Sequence, residues 1–241
     1  PNGMVVGPNG VLNVGSLGVY TPTAPGMKML KDGFKNGSMT TTYQGKEINL
    51  LDAIGWHGNA PVTINGKINA QGGVDLVANQ FTLDSAGEIS TLGETLFSAL
   101  VNFDRNNGND AGVNIRSYDR QSNGFIQIDG KITNNGASDI IIQNRGSQGL
   151  VVNSGAQIKD VGGDIYLVNS KSIMNVAGNL EDTSGKVYLT NGLQGGEMNF
   201  TGTLNGGAEI YNRSSAGANI KGEINNASKG LAITSEKGIL N

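Results

Sequence analysis

The chain has no cysteine and a single histidine, His57. Disulfides, cysteine-ligated zinc and a histidine-rich metal site are thereby excluded. No run of 18 or more apolar residues occurs, so no segment reads as a transmembrane helix. Charged residues are only 15% of the chain and the net charge is −3, which fits neither a basic nucleic-acid-binding stripe nor an acidic disordered tail. Glycine, by contrast, supplies 38 of the 241 residues, roughly twice its average share of about 7%. Many of these glycines stand in Asn-Gly or Gly-Gly pairs between short apolar runs, where the chain reverses at little conformational cost.

The second half repeats. A charged residue opens a short apolar strand at Asp139, Asp164, Lys186 and Glu209, with starts 25, 22 and 23 residues apart. A second marker, the apolar member of Gly130-Lys131-Ile132 and its counterparts Ile158, Leu180, Leu204 and Ile224, recurs at intervals of 26, 22, 24 and 20 residues. Two markers that keep one loose period describe a stack in which each repeat is a single coil. Within each repeat the alternation has the strand period of two, so Ile140, Ile142, Ile165, Leu167, Val187 and Leu189 should point inward and Ile141, Tyr166, Tyr188 and Tyr211 outward. The expected fold is all-β, a right-handed parallel β-helix (solenoid) with extra-helical hairpins near the N-terminus. About ten coils at the parallel-strand spacing would make a rod on the order of 50 Å long.

One continuous domain over 1–241 is expected, in three parts. Residues 1–60 hold two Pro-Asn-Gly turns, the first coils, and an irregular stretch from Thr21 to Ala60 read as hairpins or short strands outside the coil. Residues 61–111 carry coils interrupted by the polar stretch around Asp104 to Asp110. Residues 112–241 are regular coils, and the final segment to Asn241 follows the repeat without a polar cap, which predicts that the native stack continues beyond it.

Stacking would place Asn144, Asn169 and Asn191 above one another as an amide ladder bracing a turn. The outward residues Tyr166, Tyr188 and Tyr211 would form an aromatic column, either a structural stack or a binding face for sugar rings or a protein partner. Asp164, Lys186 and Glu209 alternate in sign beside it, and Asp139 next to Asp164 is the one like-charged pair. That pair is what a β-helical polysaccharide lyase or hydrolase would need, but no Arg or His stands in the same column, so no catalytic residue is assigned. The Asp104–Asp110 loop fails the EF-hand spacing, with Ile115 where the bidentate Glu belongs, and Gly72-Gly73-Val74-Asp75 and Gly162-Gly163-Asp164 fail the calcium β-roll repeat. No metal and no cofactor is therefore expected. Trp56-His57 reads as a packed or capping pair.

The opening PNGMVVGPNGVLNVGSLGVYTPT resembles the secretion-domain motif of the filamentous haemagglutinin family of two-partner-secretion exoproteins. Pro1, Asn2, Gly3 and Met4 match its N-P-N-G-(I/V) turn without the first Asn. Val11-Leu12-Asn13-Val14-Gly15-Ser16-Leu17 matches its V-N-V-G-G-L segment, with Asn13 and Gly15 as the motif positions, while Tyr20-Thr21-Pro22-Thr23 departs from the family's small, Ser/Thr-rich ending. The resemblance covers some two dozen residues. It implies an internal piece of a larger secreted or surface-displayed adhesin that crosses the periplasm and is recognised by the periplasmic POTRA domains of a cognate outer-membrane transporter. Host or bacterial surface glycans or proteins are its further implied partners, and a cytolysin exported the same way shares these features.

Overall fold

The computed structural model describes residues 3–36, 40–49, 60–94, 111–117 and 123–241. Short strands with inward apolar residues pair in parallel with strands one repeat away and build three columns. The first column runs through Met4–Val6, Pro61–Ile64, Gln80–Leu83, Phe125–Ile128 and Gly149–Val152. The second runs through Val11–Val14, Lys67–Ala70, Glu88–Thr91, Lys131–Asn134 and Gln157–Asp160. The third runs through Leu17–Tyr20, Val74–Ala78, Ala111–Ser117 and Asp139–Asn144.

From Ile165 onward the strands run on through the corners. Ile165–Val176 serves the third column and then the first, Asn179–Phe200 serves all three in turn, and Thr203–Asn212 serves the second and third. Ala218–Ile220, Glu223–Asn225 and Leu231–Ser235 make the last full set, and Leu240 bridges to Ala218 on the first column. Among the described residues eight strands or strand segments thus stack in each column, giving a stack roughly 35–40 Å tall at the parallel-strand spacing. This is shorter than the ten coils expected, because the described elements between Tyr20 and Pro61, Ala24–Asn36, Thr40–Tyr43 and Lys46–Asn49, join none of the columns.

The interior is one apolar cluster that runs the length of the stack, from Val6 and Val62 through Ile126, Ile142 and Leu167 to Phe200, Ile210 and Ala218. All six residues expected to face inward are fully buried. Period-two alternation suffices for this, since each strand offers every second side chain to the same core. At the corner between the first and second columns the levels approach so closely that a Cβ on Gly202 would lie well inside van der Waals contact distance of the Gly178 carbonyl oxygen, and one on Gly130 inside that of the Gly87 carbonyl oxygen.

Among the described residues a hairpin and a helix near the N-terminus lie outside the columns. Thr40–Tyr43 and Lys46–Asn49 form the expected antiparallel hairpin. Ahead of it Ala24–Asn36 is an α-helix, which corrects the reading of 21–60 as strands and hairpins alone. Pro25 concealed it, yet proline in a first helical turn costs nothing, because those N–H groups have no intrahelical acceptor. The Thr23 carbonyl accepts the Met27 N–H at 2.8 Å, and Gly26, Met29 and Leu30 turn one buried stripe inward. Trp56, His57, the Asp104–Asp110 loop, Pro1 and Asn2 lie outside the described residues.

Candidate functional site

Of the matched N-terminal residues, Gly3, Met4, Asn13 and Gly15 are described and sit on the first level. Asn13 and Gly15 are exposed, and with Asn69, Gln71, Ser90 and Leu92 they line a surface groove of about 480 Å³. The Asn69 side chain donates to Asn13 Oδ1 at 2.9 Å, so the groove floor is an outward amide step between adjacent levels. Gly3 turns the chain with φ of 88°, and Met4 packs half-buried against the core.

The asparagine ladder forms and is longer than expected. Asn144 donates to Asn169 Oδ1 at 2.8 Å, Asn169 to Asn191 Oδ1 at 3.0 Å, and Asn191 to Asn212 Oδ1 at 2.9 Å. Each Nδ2 also donates to a carbonyl of its own turn, on Gly146, Ser172, Gly196 and Ser214 respectively. All four side chains are buried, and the ladder fixes the register of the third column.

The tyrosine column is corrected. Tyr166 and Tyr188 are in register and stack with ring centroids 4.6 Å apart and planes inclined by 7°. Tyr211 belongs to the neighbouring row with Val168, Thr190 and Thr234, and Glu209 stands above Tyr188. The Tyr211 hydroxyl donates to Glu236 at 2.9 Å. The charge row is corrected with it: Asp164 and Lys186 are followed by Gly207, and Lys186 reaches diagonally to Glu209 at 2.6 Å. The cause is a seventh level in which Glu209 stands only three positions before Asn212, whereas Asp164 stands five before Asn169.

Mutual stacking occupies one face of each ring, and the register neighbours on the other sides are Ile141 for Tyr166 and Glu209 for Tyr188. The Tyr166 hydroxyl donates to Asp164 Oδ2 at 3.0 Å, and burial followed by the Asp164 carboxylate holds its ionisation well above the usual tyrosine range. A double-mutant cycle of Tyr166→Ala and Tyr188→Ala, followed by chemical denaturation, is expected to return a coupling of about 1 kcal/mol.

Asp139 is buried, and its Oδ1 accepts the Asp164 N–H at 2.8 Å, as Asp164 Oδ1 accepts the Lys186 N–H at 2.7 Å. The carboxylate pair that suggested polysaccharide cleavage therefore joins three levels through their backbone.

Two clusters were not singled out from the sequence. On the outer side of the third column Asp75, Asn114 and Arg116 are buried. Asn114 Nδ2 donates to Asp75 Oδ1 at 2.7 Å, Arg116 Nε to Asn114 Oδ1 at 2.7 Å, and the Tyr20 hydroxyl to Asp75 Oδ2 at 3.3 Å. No periodic rule marks an outward position as covered, so this network had no sequence signal.

The second cluster is a corner column, Thr91, Asn134, Asp160 and Asp182, inward-facing and buried. The signal for it was present: counting two residues on from the markers Ile132, Ile158 and Leu180 reaches Asn134, Asp160 and Asp182, and the same count from Ile89, the register partner of Ile132, reaches Thr91. Burial pushes both aspartic acids up to about 6, Asp182 further raised by Asp160 and Asp164, while N–H donors from Gly163 and Gly185 oppose the shift at Asp160 and Asp182 respectively.

No family model, no curated protein and no solved structure matches this chain. Fold and site together define an all-β protein of stacked parallel strands whose polar side chains mainly brace turns. Among the described residues no helix is long and apolar enough to cross a membrane.

Proposed function

We propose that this chain is a right-handed parallel β-helix forming part of the secretion domain and the adjoining shaft of a large secreted or surface-displayed adhesin, and that it carries out no chemistry of its own. The observation that carries the reading is the position of the matched motif. Asn13 and Gly15 are exposed together in a groove on the first level, where an outer-membrane transporter's periplasmic domains would meet them. The levels beyond add length by repetition, each contacting only its neighbours, so such a rod can fold level by level as it emerges outside the cell.

Export of the complete exoprotein with its cognate transporter tests this. Asn13→Ala with Gly15→Lys is expected to leave the fold intact, because both positions are exposed and no atom lies within 4 Å of a Cβ on Gly15. Most of the protein should then disappear from the medium and accumulate in the periplasm. Undiminished secretion would remove the export reading. For an extracellular partner, the Tyr166 and Tyr188 stack presents ring edges beside Asp164, Lys186 and Glu209, which suits a protein surface better than a sugar ring.

A further inference from the structure

The corner column changes character along its length. In its lower part neutral groups supply the donors: the Thr91 hydroxyl donates to Asn134 Oδ1 at 3.0 Å, and Asn134 Nδ2 donates to the Ser138 carbonyl and to Asp160, at 3.2 Å from Oδ2. Asp160 Oδ1 then accepts the N–H groups of Gly162 at 3.1 Å and Gly163 at 2.8 Å. Directly above it, Asp182 accepts the Gly185 N–H on Oδ1 at 2.5 Å, while its Oδ2 is buried and has no hydrogen-bond partner. Two aspartates are thus register partners on adjacent levels with inward side chains, the upper one with a buried oxygen that has no hydrogen-bond partner.

The other charged groups at this corner do not supply the missing compensation. Asp164, on the third column, adds negative charge at both carboxyls, and Asp139 adjoins it through the Asp164 N–H. Lys159 and Glu181 point outward and pair at 2.6 Å, as Lys186 and Glu209 do. Lys229, on the exposed turn Ala227–Lys229, lines one outer groove with Glu181 and Asp182, but among the described residues no ion pair joins it to Asp182, and Glu181 pairs with Lys159. Two ionised carboxylates so placed repel each other and lack hydration, so one of them is more stable protonated.

We propose that Asp160 and Asp182 share one proton in the folded chain, which makes this corner an acid-strengthened joint between levels. No covalent step is involved. The pair binds its proton more tightly folded than unfolded. Its contribution to stability is therefore complete below the ordinary carboxylate range and is lost as pH rises through about 6. The inference is independent of the export reading.

Carboxyl-carbon NMR of the aspartate-labelled 241-residue chain tests it directly. A carboxyl titrating near 6 is expected in the wild type and should vanish in Asp160→Asn and Asp182→Asn. In parallel, the wild-type melting temperature should fall by roughly 3–8 °C between about pH 5 and about pH 8, and Asp182→Asn should flatten that fall. Titration of every aspartate near its ordinary value of about 4 overturns the proposal, as does an unchanged pH dependence of melting in a folded Asp182→Asn chain. Should neither variant fold, the wild-type titration decides alone.

Discussion

Replacing Asn169 by alanine is expected to lower the free energy of unfolding by about 3–5 kcal/mol. The residue is the middle of a continuous amide chain, accepting from Asn144 and donating to Asn191 and the Ser172 carbonyl. Alanine leaves one N–H of Asn144, the Ser172 carbonyl and the Oδ1 of Asn191 each short of a partner in a buried turn, at roughly 1–3 kcal/mol apiece. For a chain of this size the loss corresponds to a melting point lower by roughly 10 °C. Equilibrium urea denaturation checks it. The control is Asn175→Ala, in the outward row of the first column, where Asn175 accepts from Asn199 at 3.0 Å. That side chain faces solvent, so water replaces the lost bond and the change should stay within about 1 kcal/mol. Equal losses in the two variants would show that the inner ladder has no special weight.

Gly202→Val is expected to destabilise the chain by about 3 kcal/mol or more. The obstacle is a backbone atom, the Gly178 carbonyl oxygen of the level below, with the Ala177 backbone behind it. A flexible side chain would swing aside; a backbone held by the Thr203 N–H bond to the Gly178 carbonyl at 3.1 Å does not. The two levels must separate at that corner, which opens the path to Phe200 and Leu204 in the core. Hydrogen exchange should therefore quicken first in Thr203–Asn212. Gly15→Ala, with open space around it, should change stability by less than about 0.5 kcal/mol. Ala156, at the corner position equivalent to Gly130, shows that a methyl is accommodated where the turn is longer, its N–H bonding to the Asn153 carbonyl at 3.0 Å.

The contrast between the two strand markers explains what could be read in advance. Asparagine marked the register correctly at Asn144, Asn169, Asn191 and also at Asn212, because an inward amide at a turn has one acceptable position and a slip leaves it unpaired. The leading charge misled at Glu209. An outward carboxylate is solvated in either of two registers, so nothing binds it to one place in the repeat. It was that freedom which separated Tyr211 from the stacked pair Tyr166 and Tyr188. Asp160 and Asp182 were reachable by counting inward from Ile158 and Leu180, and were passed over because acidic residues are ordinarily placed outside.

Alternation, glycine pairs and a loose period of 20 to 26 residues determined by themselves that parallel strands would stack around one apolar interior, since these patterns depend only on neighbours along the chain. The helix Ala24–Asn36 and the burial of Asp75, Asn114 and Arg116 on the outer face were decided by tertiary structure alone. So was the pairing of two carboxyls in one corner. Whether an outward position is covered, or an inward charge meets another, depends on which levels and insertions come together in space, and linear order does not carry that information.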